Sequence, residues 1–361
     1  MSSEGKPTLL YIMGIDWAWI FQRPQIIAQH LAEGNDITIV FPRSILKFFS
    51  RFHARPPVRH EILWTLPLQE KVKIIGRLSQ FLNSRVFRDV RKYGTIVVGY
   101  PLYYRYIPHD YSGTLIYDCM DNHETLYPYR PGVGKLLEQE KALLEHSRIV
   151  FASSGKLVEK IRRQVEGPVP RVVLLRNGTA VPGRLPPVAR PACRSRHKIA
   201  YVGTIAEWFD RELILESLEK VGGIEYHLIG PVNIALPRRQ RGLIMEGVVP
   251  HSQLYGAVES CSCLVMPFRT DKTVLYVDPV KLYEYIVMGK CIIAVYYPEI
   301  ERFGDFVYFY RDAPGYVRLL EKLKTLGFPP KYTSRQRQDF LAENTWETRF
   351  AIWDKAVNEA G

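Results

Sequence analysis

Two sets of short apolar runs, each alternating with helical patterns, restrict the fold of this 361-residue chain more tightly than any single motif. The first set occupies residues 9–13, 37–41, 95–99, 115–119, 149–152 and 172–175. The second occupies 199–202, 225–229, 245–248, 264–266, 292–295 and 307–310. Alternation of this kind is the mark of a parallel sheet wrapped by helices. Between the sets lies VPGRLPPVARPACRSR, dense in Pro and Arg and without periodicity, which reads as an interdomain linker. A chain of this length exceeds one ordinary hydrophobic core. The expected class is α/β, with two Rossmann-like domains facing a central cleft: residues 1–180, a linker at 181–197, and 198–334. Sheets of this type hold ligands beyond the carboxyl ends of their strands, so chemistry is expected in the loops that follow strands.

Hydrophobic residues make up 47% of the chain and charged residues 24%, the composition of a globular protein. No apolar run approaches the length that spans a bilayer, and MSSEGKPTLLYIM lacks a basic region followed by an apolar signal core. The expected location is the cytoplasm or, peripherally, the inner face of a membrane. Cys119, Cys193, Cys261, Cys263 and Cys291 are an odd number, and Cys261-Ser-Cys263 has the wrong spacing for a zinc knuckle, so reduced structural thiols are expected.

The net charge of +12 is concentrated between Phe41 and Tyr93, where twelve Lys and Arg stand against three Asp and Glu. Phe48, Phe49, Phe52, Trp64, Phe81 and Phe87 are interleaved with them. From Leu68 on, Val72, Ile75, Leu78, Leu82, Val86 and Val90 keep helical spacing. Two readings are open: a basic amphipathic helix lying on an anionic membrane, or a core-facing helix with a solvated basic back. No helix-turn-helix, zinc or RNA-binding motif supports nucleic acid as a partner.

The stretch VDPVKLYEYIVMGKCIIAVYYPE, residues 277–299, reads as a helix feeding a buried strand. Asp278-Pro279 would start the helix, with Asp278 capping its first amides, and Gly289 would end it. Lys281 and Glu284, three apart, share a face near the positive end. Such a set suits a nucleotide diphosphate, with Lys281 and free amides on phosphate oxygens and Glu284 on the ribose hydroxyls; an exposed ion pair is the plainer alternative. Gly203 and Thr204 follow the second domain's first strand, where backbone amides can approach a phosphate. Arg269 could neutralise a leaving diphosphate. Asp118, Asp121 and His123 end the strand TLIYDC; Asp121 and His123 are candidate general bases, while Asp118 reads as buried and hydrogen-bonded. After the first strand stand Asp16 and Trp17, with Asp16 either positioning a hydroxyl or capping its own turn. Arg23 opens the next helix and could equally be tied to a carboxylate of its own domain. Trp346 and Trp353 recur at helical spacing and read as packing residues.

The pattern P-x-K-L-x-E-Y-x-x-x-G-K, an apolar strand and P-E resembles the donor-site helix of GT-B-fold glycosyltransferases, closest to the teichuronic-acid and cell-surface polysaccharide branch. V-G-T-I-x-x-W-x-D from Val202, Arg23-Pro24-Gln25, and N-x-W-x-x-R from Asn344 resemble the same branch. The resemblance implies transfer of a sugar from a nucleotide-sugar donor to a glycan or lipid-linked acceptor in polysaccharide or cell-wall biosynthesis. It implies a second-domain donor site, with His251 beside the base, and an acceptor bordered by Asp16, Trp17 and Arg23. It matches Asp121 to a branch carboxylate and returns residues 335–361 to the first domain. The larger retaining group carries two glutamates on this helix. Glu284 matches the second and Tyr276 stands in place of the first, so the sequence leaves retention and inversion open. No Asp-x-Asp ends a strand, so neither a metal nor another cofactor is expected. The alternatives are a non-catalytic module holding a nucleotide or polyanion, and a nucleotide-sugar epimerase of the same fold.

Overall fold

A computed structural model describes residues 6–19, 21–47, 56–69, 71–126, 132–165, 170–237 and 239–360. The chain divides into two compact units, Met1–Arg176 with Phe350–Gly361, and Asn177–Arg349. Each is built on one parallel sheet.

The first sheet has seven strands: β1 (Thr8–Ile12), β2 (Asp36–Ser44), β3 (Arg59–Thr65), β4 (Thr95–Val98), β5 (Thr114–Cys119), β6 (Ile149–Ala152) and β7 (Arg171–Leu174). Their spatial order is β3-β2-β1-β4-β5-β6-β7. Leu9, Tyr11, Ile39, Phe41, Val97, Ile116 and Phe151 supply a core cluster on one face. Trp353, from the last helix Trp346–Asn358, stacks on Phe151 with ring centroids 4.1 Å apart, as its helical spacing predicts. Burying such a ring is among the largest single contributions a side chain makes to a core.

The second sheet has six strands: β8 (His197–Val202), β9 (Ile224–Ile229), β10 (Leu243–Gly247), β11 (Cys263–Met266), β12 (Cys291–Val295) and β13 (Tyr308–Tyr310). Their order is β10-β9-β8-β11-β12-β13. All five residues of β12 are buried, which is why CIIAV is uninterrupted and apolar: helices cover both faces of a parallel sheet. The Pro- and Arg-rich run is irregular, as its composition implies, and it docks on the second unit. Ala189 N donates to Gly289 O at 2.7 Å, Ala192 N to Gly327 O at 3.1 Å, and the Arg337 guanidinium to Pro186 O at 2.6 Å. The helix Ser334–Glu343 also belongs to this unit, so the return to the first unit begins at Phe350.

Strand β3 falls inside the basic block, where the composition predicts no strand. Its burial alternates as befits a sheet edge. The helix expected from Leu68 onward is shorter, Lys73–Ser84, and continues as short 3-10 turns to Lys92. Among the described residues no helix is long and apolar enough to cross a membrane.

Candidate functional site

In each sheet the strand order reverses once, and loops from the two strands at that point leave a crevice beyond their carboxyl ends. In the second sheet the reversal lies between β8 and β11, which lead to Gly203 and to Pro267. Lys281 fills the space between those loops. Its Nζ stands 5.7 Å from the ring centroids of both Tyr201 and Phe268. Gly203 has φ +135°, and a Cβ there would lie 2.2 Å from Lys281 Cε, so only glycine admits both the backbone and the lysine. No carboxylate among the described residues forms an ion pair with this ammonium. Burial lowers its pKa, partly offset by the negative charge of Glu284.

Lys281 and Glu284 lie on the less buried face of the helix Val280–Met288, whose residues Leu282, Tyr283, Tyr285, Ile286 and Met288 are buried. His251 Nε2 stands 3.2 Å from Glu284 Oε1, and this hydrogen bond raises the pKa of His251. A residue of the loop after β10 and one of the helix are thus brought together. Gly289 ends the helix in the left-handed conformation, also as expected. Asp278 is not the cap that Asp-Pro suggests. It is buried, accepts from Asn177 N at 2.6 Å and from Tyr283 Oη at 3.2 Å, and pairs with Arg302. The cap residue Pro279 makes no side-chain hydrogen bond, and Leu282 N donates to Pro279 O at 3.2 Å, so the donors this helix end can offer a ligand are the amides of Val280 and Lys281. Tyr285, which the sequence alone does not single out, takes a hydrogen bond from Val202 N at 3.0 Å and gives one to Val265 O at 3.3 Å. It pins the helix to the two strands flanking the reversal. Thr204 presents its carbonyl to Tyr201 Oη at 2.8 Å. Arg269 is exposed and paired with Glu212, and its main chain binds Trp208 O; it does not join Lys281.

In the first unit Trp17 departs from its acceptor-side expectation, while Arg23 and Asp16 take the structural alternatives left open for them. Trp17 is a buried core residue. Arg23 is 3% exposed, pairs with the fully buried Asp118 at 2.6 Å and donates to Leu175 O at 2.8 Å. Helix and sheet are thereby locked together inside the unit, the alternative left open for Arg23. Asp16 caps its turn through Ala18 N at 3.0 Å and pairs with Arg43 at 2.9 Å, so its carboxylate is already engaged.

Past the end of β5, Asp121 is different. Burial and the nearby charge of Asp118 lift its carboxyl to about 6, against the opposing pull of Arg23. His123 is buried, its Nδ1 has no hydrogen-bond partner among the described residues, and burial with Lys160 nearby lowers its pKa to about 4. Its ring meets Tyr100 edge-on at 5.4 Å. Lys160 stands 3.8 Å from both Glu124 and Glu140, and Glu140 accepts from Tyr117 Oη at 2.8 Å. Among the described residues no group of three or more His, Cys, Asp or Glu side chains is placed to hold a metal ion.

No protein-family model matches the sequence, and no curated protein sequence is similar to it. Solved structures do match over nearly the whole chain. Sucrose-phosphate synthase from Thermosynechococcus elongatus superposes with a TM-score of 0.72 at 13% identity, covering 98% of this chain and 99% of that one. The lipopolysaccharide outer core galactosyltransferase WaaB gives 0.67 at 12%, covering 98% and 99%. HepE of Anabaena, solved in complex with UDP-glucose, gives 0.67 at 11%, covering 97% and 99%. The chain therefore has the two-domain GT-B fold on which these glycosyltransferases are built.

Proposed function

We propose that the chain is a metal-independent glycosyltransferase, moving a sugar from a nucleotide diphosphate sugar to a glycan or lipid-linked acceptor in cell-surface glycan biosynthesis. One observation carries this reading: the ammonium of Lys281, without an ion-paired carboxylate among the described residues, lies over Gly203 where the strand order reverses, beside uncapped helix amides and Glu284. Anion recognition is what such a set does best. The carboxylate of Glu284, oriented by His251, accepts from the ribose hydroxyls. Neighbours with this fold include a galactosyltransferase of lipopolysaccharide and a protein solved with UDP-glucose, which supports both donor class and setting.

The reaction then needs a base and a place for negative charge. An acceptor hydroxyl attacks the anomeric carbon. The bond from that carbon to the phosphate oxygen breaks, and its electron pair leaves with the nucleoside diphosphate. Lys281 and the helix amides stabilise that charge. In an inverting transfer the hydroxyl proton passes to Asp121, whose carboxyl, held at about 6, is mostly ionised at neutral pH. His123, held near 4, is neutral there.

The reading also sets the first unit against an anionic membrane. Phe48, Phe49 and Phe52 lie outside the described residues, but the helix Lys73–Ser84 supports the idea. It turns polar residues inward: Ser79 Oγ donates to Gln69 Oε1 at 2.7 Å, and Asn83 Oδ1 accepts from Trp64 N at 3.0 Å. Its apolar residues face out, with Ile74 78% and Phe81 62% exposed and Leu78 beside them. A core-facing helix would do the reverse. Each neighbouring cation adds about 1 kcal/mol of attraction to an anionic surface.

Replacing Glu284 with Ala tests the donor site. Transfer should be lost while circular dichroism stays native; a small rise in donor KM alone would remove the ribose assignment.

A further inference from the structure

We infer that the first unit holds a pocket for an anionic, phosphate-bearing saccharide. A cavity of about 720 Å³ opens where the order of the first sheet reverses, lined by Gly14 after β1 and Tyr100 after β4. That volume suits a small ligand. Lys71, Lys73, Arg77, Arg105 and Lys135 line it, and among the described residues no Asp or Glu does. Among the described residues none of these five forms an ion pair with a carboxylate. Surface lysines alone would mean little, but Arg105 is half-buried. Its Nε donates to Leu102 O at 2.8 Å, its remaining donors find no carboxylate among the described residues, and burial lowers its pKa. A guanidinium withdrawn from water without a counter-charge is costly, and a phosphate entering the cavity would remove that cost through a two-pronged contact.

The walls suit a sugar. Tyr100, Tyr103 and Tyr106 offer ring faces and hydroxyls, and Tyr106 is held by stacking on Phe87 with centroids 4.6 Å apart. Tyr100 also touches His123, so the cavity borders the loop that carries Asp121. That the ligand is the acceptor rests on the glycosyltransferase reading above; that it is anionic does not. Two sources share this chemistry, a free sugar phosphate and a lipid-linked sugar diphosphate. The helix Lys73–Ser84 lines the cavity with Lys73, Gly76, Arg77 and Gln80 while Ile74 and Phe81 stand in solvent, where a prenyl chain could lie.

Calorimetric titration of the full chain decides the matter, with glucose, glucose 6-phosphate, and glucosyl prenyl diphosphate in detergent micelles as probes. One or both phosphorylated probes should bind, and glucose should not. Binding of glucose 6-phosphate identifies the free source; binding of the prenyl diphosphate alone identifies the lipid source. Arg105→Gln/Lys135→Gln should weaken that binding at least tenfold, and Lys281→Gln by less than twofold. Lys73→Gln/Arg77→Gln, at exposed positions that leave the fold intact, should weaken it in the same direction. The inference is overturned if glucose binds as well as its phosphate, if no phosphorylated probe binds, or if only Lys281→Gln loses binding. A parallel titration with UDP, GDP and ADP keeps the two readings apart. Failure of every nucleotide would sink the donor site and leave the pocket result standing.

Discussion

With Asp121 as the proposed base, a carboxyl held at about 6 makes its usefulness depend on pH. Turnover should fall as pH drops through about 6, and because His123 titrates near 4 the loss at 6 belongs to the carboxyl. The same shift acts on stability. The folded protein holds this proton more tightly than the unfolded chain, so ionising Asp121 costs folding free energy as pH rises toward and through about 6. Asp121→Asn should therefore abolish turnover, leave nucleotide binding unchanged and raise Tm, by more at pH 8 than at pH 5. Unchanged turnover, or a Tm gain independent of pH, would retire Asp121 as the base. Arg23 makes the opposite case. Arg23→Met strands a buried carboxylate and should cost about 3–5 kcal/mol in a denaturant titration. A loss below about 1 kcal/mol would return Arg23 to the acceptor side. At this scale the sequence was legible where spacing alone decides, as with Lys281 and Glu284 on one helical face. It misled at Asp278, where Asp-Pro before a helix reads as a cap although the carboxylate turns inward, and at Trp17, because an aromatic residue after a strand looks the same whether it faces a ligand or, as here, the interior.

The helix Lys73–Ser84 shows how much an element can reverse a pattern without changing it. Its apolar spacing was visible in the sequence, but which face turns inward was settled by β3, whose Trp64 main chain takes Ser79 and Asn83 as partners. RHEILWT hides β3 from composition, since charges alternate with apolar residues at a sheet edge. A triple replacement of Ile74, Leu78 and Phe81 by Ser should leave Tm within a degree or two, because these side chains pack on little. It should abolish co-sedimentation with vesicles containing anionic lipid. Retained binding would remove the membrane assignment, and dimer dissociation on the same replacement would give the surface to a second copy of the chain.

At the scale of the whole molecule, two parallel sheets were legible from the alternation, since uninterrupted apolar runs arise only where both faces of a strand are covered, while the order of their strands was not. The docking of 181–197 onto the second unit was not legible, because a Pro-rich run carries no pattern that distinguishes a free hinge from a strap. On the proposed reading the donor is held at the reversal of the second sheet by Lys281 and Glu284, and the acceptor by the cavity at the reversal of the first, with Asp121 on the neighbouring loop after β5. The most direct measurement is a mass-spectrometric screen of wild type and Lys281→Gln against a panel of nucleotide sugars. Wild type should release a nucleoside diphosphate from one donor, and Lys281→Gln should lose at least tenfold in kcat/KM for it, about 1.4 kcal/mol or more of transition-state stabilisation. Undiminished turnover in Lys281→Gln, or no donor consumed by wild type, would contradict the assignment.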